Sequence, residues 1–261
     1  MHAISLSVKD YKVLKEAEWS ISDMQAGLKA DAESEHYSSI LKKIGQKRHI
    51  RIKSVANIPC GWGRHDAVLR RNGFDVYGID IEPYFISKAR RLYPRFKNRY
   101  FVGDMRCTGL ESGTFDAVLN VFTSFGYFGY KGNLQVLHEF NRLLRKGGIL
   151  LFDVKNKPAL LRVMKGNKVM NAEFASSSII RSHKTVVAGG YLVFKEQFLK
   201  KTGDTYRLVK TEEKRVMLFS LREMRSMLAH SGFKVVGVYE KSSFRSAGRD
   251  TPHVFIAAVK L

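Results

Sequence analysis

Gly61 and Gly63 stand between an apolar run, Val55 to Ile58, and a segment with helical spacing of apolar residues, Arg64 to Arg71. A Gly-x-Gly turn at a strand-to-helix junction suits one kind of chemistry. Without Cβ atoms the backbone adopts positive φ freely and can approach a ligand closely. The unpaired N–H groups and the positive dipole end of the helix then face an anionic group. Asp80 ends the next apolar run, Phe74 to Ile79, about twenty residues past the turn, where a carboxylate can accept both hydroxyls of a ribose. Asp104 ends a third run, Phe101 to Gly103. These groups hold a ligand; none is a nucleophile. Cys60 and Cys107 give neither a disulfide framework nor a zinc spacing.

The elements that must position these residues follow from periodicity. The helix after the turn stops at Asn72-Gly73. Phe74 to Asp80 is a second strand, and Phe101 to Met105 a third. Phe115 to Val121 is a fourth strand, continuing into Phe122-Thr123-Ser124-Phe125-Gly126-Tyr127-Phe128. Leu134 to Leu144 is an amphipathic helix, and Lys146-Gly147-Gly148 turns into the strand Ile149 to Val154. Strands alternating with helices indicate an α/β sheet with ligands at the carboxyl ends of its strands. Two nucleoside ligands fit up to Asp80: a nicotinamide dinucleotide and S-adenosylmethionine. The order glycine turn, acid after strand two, acid after strand three fits the second. The dinucleotide fingerprint requires a third glycine, and Asp66 occupies that place.

Residues 52 to 155 resemble a class I S-adenosylmethionine-dependent methyltransferase. Cys60-Gly61-Trp62-Gly63-Arg64-His65, Gly103-Asp104-Met105-Arg106 and Thr123-Ser124-Phe125-Gly126-Tyr127-Phe128 are similar to a branch with Cys-Gly-aromatic-Gly-Arg-His and Thr-Ser-Phe-Gly-Tyr-Phe signatures. The resemblance implies a Rossmann-like seven-stranded sheet and S-adenosylmethionine as cofactor, with S-adenosylhomocysteine as product. It assigns Gly61 and Gly63 to the methionine part, Arg64 to its carboxylate, Asp80 to the ribose, Ile81 to the adenine, Asp104 to the adenine amine and Met105 to the ring face. Asn57, Cys60 and Asn120 complete the expected cofactor-binding set, and Tyr127 is the candidate to orient or deprotonate an acceptor. The chain departs from the family pattern at Asn57, where an acid is usual, and at Pro59, where a first glycine is usual.

Residues 1–48 read as an N-terminal helical cap with Tyr11, Trp19, Met24, Leu28, Tyr37, Ile40 and Leu41 as anchors. Residues 49–154 are the cofactor-binding core. Residues 155–219 read as an inserted antiparallel sheet acting as a substrate lid. Its strands are Ser178 to Val187, Tyr191 to Leu199 and Thr205 to Phe219, joined at Gly189-Gly190 and Thr202-Gly203-Asp204. Glu196, Tyr191 and Arg207 are its candidate acceptor-facing residues. Residues 220–261 return to the core as the helix Leu221 to His230 and the strands Phe233 to Tyr239 and His253 to Val259.

The net charge of +21 gathers in two clusters, Lys42 to Lys53 and Lys88 to Arg99. Such a field attracts polyanions. Three functions therefore stay open: methyl transfer to a small-molecule acceptor, methyl transfer to RNA, and a non-catalytic scaffold whose site has degenerated at Asn57 and Pro59. The loop Asn120-Val121-Phe122-Thr123 lacks the prolines of nucleic-acid amine methyltransferases and the cysteine needed for cytosine-ring chemistry. No apolar run is long enough to span a membrane, and the N-terminus lacks signal-peptide character, so a cytoplasmic protein without a membrane partner is expected. Nothing in the pattern sets the oligomeric state.

Overall fold

The computed structural model describes residues 31–164, 170–175, 179–241, 243 and 245–261. Tyr11, Trp19, Met24 and Leu28 lie outside them. The described elements begin with α1 (31–47), β1 (Ser54–Asn57), α2 (Arg64–Arg71), β2 (Asp75–Asp80) and α3 (Pro83–Leu92). A 3-10 helix (Pro94–Arg99) leads to β3 (Tyr100–Val102), β4 (Phe115–Asn120), α4 (Gly129–Leu143), β5 (Leu144–Lys155) and α5 (Lys157–Val163). Then come β6 (Met170–Ala175), β7 (Ile179–Ala188), β8 (Tyr191–Thr202), β9 (Thr205–Met217), α6 (Leu221–His230), β10 (Phe233–Glu240) and β11 (His253–Lys260).

Seven strands form one sheet in the order β10-β11-β5-β4-β1-β2-β3. The five strands β5-β4-β1-β2-β3 are parallel, and β11 joins β5 and β10 antiparallel. This is the Rossmann-like α/β sheet expected from the alternation of elements. Its central strands β1, β4, β5 and β11 are buried on both faces, so they read as nearly continuous apolar runs. Period-two alternation divides them between two cores. Ala56, Val118, Leu150 and Ile256 face one core with Phe140 of α4 and Met224 of α6. Val55, Ala117, Leu151 and Phe255 face the other, with Tyr37 and Leu41 of α1 and Leu69 of α2.

α6 has its expected limits because both ends are marked. Ser220 and Glu223 form a capping box, with the Ser220 N–H donating to Glu223 Oε2 at 2.7 Å and the Glu223 N–H to Ser220 Oγ at 3.2 Å. Lys146-Gly147-Gly148 differs from expectation: instead of a turn before the strand, it lies inside β5. The pairing jumps from Phe115 with Leu144 to Ala117 with Ile149, so the segment bulges out of register with Gly147 at φ 78°.

The chain divides into two compact units, one holding Ala30–Val163 and Met217–Leu261, the other including Met164–Val216. In the second unit β6-β7-β8-β9 form a four-stranded sheet. β7 and β8 pair antiparallel around Gly189-Gly190, as their short turn requires. β6 and α5 are elements that the pattern of the sequence did not indicate.

Candidate active site

The glycine turn sits at the carboxyl end of β1. Gly61 has φ 55° and Gly63 φ 80°, both in the left-handed region. A Cβ on Gly61 would meet nothing within 4 Å, so this side of the turn is open to a ligand. A Cβ on Gly63 would stand 2.5 Å from the Tyr100 hydroxyl, so this side is closed by packing. Gly63 is the N-cap of α2 and no side chain caps that end.

Asp80 faces the turn from the end of β2. Its Oδ2 accepts from the Gly61 N–H at 2.8 Å and its Oδ1 from the Glu82 N–H at 3.0 Å. Each oxygen keeps lone-pair capacity beyond that bond. Burial raises its pKa against the pull of those two N–H groups. Ile81 beside it is 60% exposed. Asp104 lies two residues past the end of β3 and has a strong local partner. Arg106 Nη2 donates to its Oδ2 at 2.6 Å, and the Arg106 N–H to its Oδ1 at 2.8 Å. That guanidinium holds the Asp104 carboxyl below the usual range. Cys107 closes the same tight turn, its N–H donating to the Asp104 carbonyl at 2.9 Å, and its side chain is exposed.

Other expected residues lie beneath the turn. Asn57 is fully buried and donates through Nδ2 to Asp66 Oδ1 at 2.6 Å. Asn120, also fully buried, donates to the Ile58 carbonyl at 2.7 Å and approaches Met105 Sδ at 3.6 Å. Met105 packs into the core around α4. Cys60 is buried, and burial pushes its thiol well above the usual range. Pro59 follows Ile58 through a cis peptide bond. Arg64 stacks on Phe122 with its guanidinium 4.0 Å from the ring centre and donates through Nε to His65 Nε2 at 3.1 Å. That bond makes His65 Nδ1 the protonated nitrogen, which donates to Ser34 Oγ at 2.8 Å. His65 is thus a buried helix-start residue. Tyr127 is 45% exposed on the segment after β4.

Asp66 holds the place of the third glycine and is fully buried. Burial raises its pKa to about 6, with Arg70, Asn57 and the Tyr100 hydroxyl pulling the other way. An acid whose folded pKa lies above its unfolded value of 3.8 favours the folded state below pH 4, and this contribution is lost as pH rises through 6. Asp66→Asn is therefore expected to be more stable than the parent at pH 7 by about 1–3 kcal/mol, with the difference shrinking towards pH 4. Urea unfolding at the two pH values checks this; an equal difference at both would remove the burial argument.

A second constellation was missed in the sequence. Asp153 of β5 is fully buried. Its Oδ2 accepts from His253 Nε2 at 2.6 Å and from Lys241 Nζ at 3.0 Å, and its Oδ1 from the Thr123 N–H at 2.8 Å. Lys155 Nζ donates to His253 Nδ1 at 2.8 Å. Burial alone would raise the Asp153 carboxyl, but the His253 hydrogen bond and Lys241 outweigh it and hold it at about 2. Burial, reinforced by Lys241 and opposed by Asp153, pushes Lys155 down to about 8. Phe122 and Thr123, with φ 67° and 56°, are non-glycine residues in the left-handed region. Such strain collects at functional sites.

In the other unit, Glu196 is buried with His183 Nδ1 at 3.0 Å and Lys214 Nζ at 3.3 Å, while Arg207 is exposed. Part of the second basic cluster serves the fold. Arg90 donates to the Tyr100 carbonyl at 2.6 Å, Arg99 pairs with Asp75 at 3.1 Å, and Lys88 lies 4.8 Å from the centre of the Trp62 ring.

Sheet order, glycine turn and strand-end carboxylates together define a class, and comparison with known proteins agrees. Residues 56–152 match the family described as methyltransferase domain. A solved S-adenosylmethionine-dependent methyltransferase from Clostridium acetobutylicum ATCC 824 shares the fold with a TM-score of 0.71 at 15% identity, covering 85% of this chain and 90% of that one. The chain is 27% identical over 213 residues to YqeM of Bacillus subtilis (strain 168), covering 79% of this chain and 83% of that one. It is 26% identical over 239 residues to the glycine/sarcosine N-methyltransferase of Aphanothece halophytica, covering 89% and 83%. The solved sugar N-methyltransferase KedS8 from Streptoalloteichus sp ATCC 53650 shares the fold with a TM-score of 0.73 at 17% identity, covering 100% of this chain and 98% of that one. Among the described residues no helix is long and apolar enough to cross a membrane.

Proposed function

We propose that the chain methylates a small-molecule acceptor in the crevice at the carboxyl ends of β1, β2 and β4, by in-line displacement at the methyl carbon. Bound S-adenosylmethionine supplies an electrophilic methyl group on a sulfonium. The observation that carries the reading is the cradle at Gly61, open where a Cβ would stand and flanked by the buried Asp80 carboxylate. Gly61 and Gly63 offer backbone to the methionine part, and Arg64 lies near enough to the turn to take its carboxylate. Asp80 uses its spare lone pairs for the ribose hydroxyls. Exposed Ile81 lies against the adenine, and Asp104, steadied by Arg106, accepts from the adenine amine. Met105 supports the ring face from within the core. Asn57, Cys60 and Asn120 hold the strand ends in place.

The acceptor enters on the β4 side, where Tyr127 orients it. Holding donor and acceptor in line removes much of the entropic barrier. The names of two similar proteins, a glycine/sarcosine and a sugar N-methyltransferase, support an amine nitrogen as the atom methylated. Calorimetry with S-adenosylmethionine tests the cofactor part. Asp80→Ala is expected to weaken binding by about 1–3 kcal/mol, the range for a lost buried hydrogen bond. Unchanged affinity would remove the ribose assignment, and no binding by the parent protein at millimolar ligand would remove the function.

A further inference from the structure

We propose that Lys155 and Lys241, gathered with His253 around Asp153 at the carboxyl edge of the sheet, form an oxyanion subsite that takes a carboxylate or phosphate group of the methyl acceptor. The acceptor part of this assignment rests on the proposed function; the anion site itself does not.

The argument begins with charge. Among the described residues Asp153 is the only carboxylate hydrogen-bonded within the cluster, and its oxygens are already shared among Lys241, His253 and the Thr123 N–H. Lys155 is left with the imidazole of His253. With Nε2–H directed at Asp153, the neutral ring presents Nδ1 as an acceptor, so it gives Lys155 a hydrogen bond but no counter-charge. Two ammonium groups therefore share one carboxylate in a half-buried place. The depressed pKa of Lys155, set by burial and by Lys241, is the response of an ammonium short of a partner. An ammonium also carries three donors. An arriving oxyanion supplies both what the charge and what the donors lack.

Access and position agree with this. The side chains of Lys241 and His253 are 18% and 19% exposed, neither sealed nor dispersed in solvent. Phe122, 40% exposed, is flanked by Arg64 at 4.0 Å and Lys241 at 4.7 Å, which sets an apolar ring between cations beside the cluster. Along the sheet, β5 is three strands from β2, so Asp153 lies about 14 Å from Asp80 at the usual strand spacing. That separation leaves room for a cofactor on one side and a small acceptor on the other. Thr123, bonded to Asp153, belongs to the segment after β4 where the acceptor is expected.

The experiment uses the full chain labelled with 15N-histidine, with the His253 signals assigned through His253→Gln. Sodium acetate and inorganic phosphate are titrated separately at constant ionic strength and pH 7. Saturable movement of the His253 imidazole signals is expected with at least one of them, and the one that saturates identifies the anion class. Lys155→Met should weaken that binding tenfold or more. Lys155→Arg should keep it within threefold, and Lys43→Met, in the distant basic cluster, should leave it unchanged. No saturable shift with either anion overturns the proposal, as does Lys155→Met binding like the parent or Lys43→Met weakening it equally. Binding of S-adenosylmethionine, measured on the same samples, separates the two readings. Anion binding without cofactor binding leaves the subsite standing and removes the methyltransferase reading, and the reverse removes the subsite alone. A Lys155→Met protein with parental cofactor binding is also shown to be folded.

Discussion

Asp153→Ala is expected to cost about 3–5 kcal/mol of folding stability, the range for removing one partner of a buried charge network. The carboxylate is fully buried and is the group on which Lys241, His253 and the Thr123 N–H converge. Its loss leaves the Lys241 ammonium, the His253 ring N–H and a backbone donor in low dielectric without compensation. The pH dependence has a definite sign. The folded pKa, about 2, lies below the ordinary 3.8, so this contribution is fully present above pH 4 and disappears as pH falls through 2. Denaturant unfolding of parent and variant across pH 2–7 measures both. The gap should be widest at neutral pH and close in acid. A gap below 1 kcal/mol at pH 7 would mean that water, not protein, solvates this carboxylate.

Gly63→Ala is expected to lose about 2–5 kcal/mol, combining the cost of a non-glycine residue in the left-handed region with that of overpacking. The obstacle is specific. The new methyl would meet the hydroxyl of Tyr100, which is fully buried and receives a hydrogen bond from Arg70 Nη1 at 2.7 Å. Tyr100 cannot swing away without releasing Arg70, whose other nitrogen holds the Val76 carbonyl at 2.7 Å. The Gly63→Ala/Tyr100→Phe double variant separates the two contributions. Removing the hydroxyl should recover part of the steric cost, because two ring carbons remain at 2.9 Å, and leave the backbone part. Thermal unfolding reads the stability, and cofactor calorimetry reads the turn. No recovery in the double variant would show that the hydroxyl is not the obstacle.

What the sequence made legible depended on where each element's partners lay. α2 and α6 were bounded correctly because their ends are written locally, by Gly63 and Asn72-Gly73 in one and by Ser220 and Ser231-Gly232 in the other. The central strands were readable because burial on both faces leaves unbroken apolar runs. β6 escaped because Met170 to Ala175, although it alternates, is short and carries no β-branched residue. At the site, the turn and Asp80 were visible at short range. The Asp104 carboxylate, assigned to the adenine amine, pairs with Arg106 two residues on. The Asp153 cluster was not visible, because Lys241 and His253 lie 88 and 100 residues away along the chain. Its one local signal was an acid inside the run Leu150 to Val154, where every neighbour is apolar. Asp66 was read only as an obstacle to a third glycine; that it bonds Asn57 beneath the turn depends on packing that no spacing encodes.

The two cysteines have a practical consequence. Cys60 is sealed under the turn with its thiol held protonated, whereas Cys107 stands in solvent on the same hairpin bend as Asp104. A maleimide dye should therefore attach at one place without any engineering of the chain. Its emission would track nucleoside docking at the rim, turning the native polypeptide into its own optical sensor.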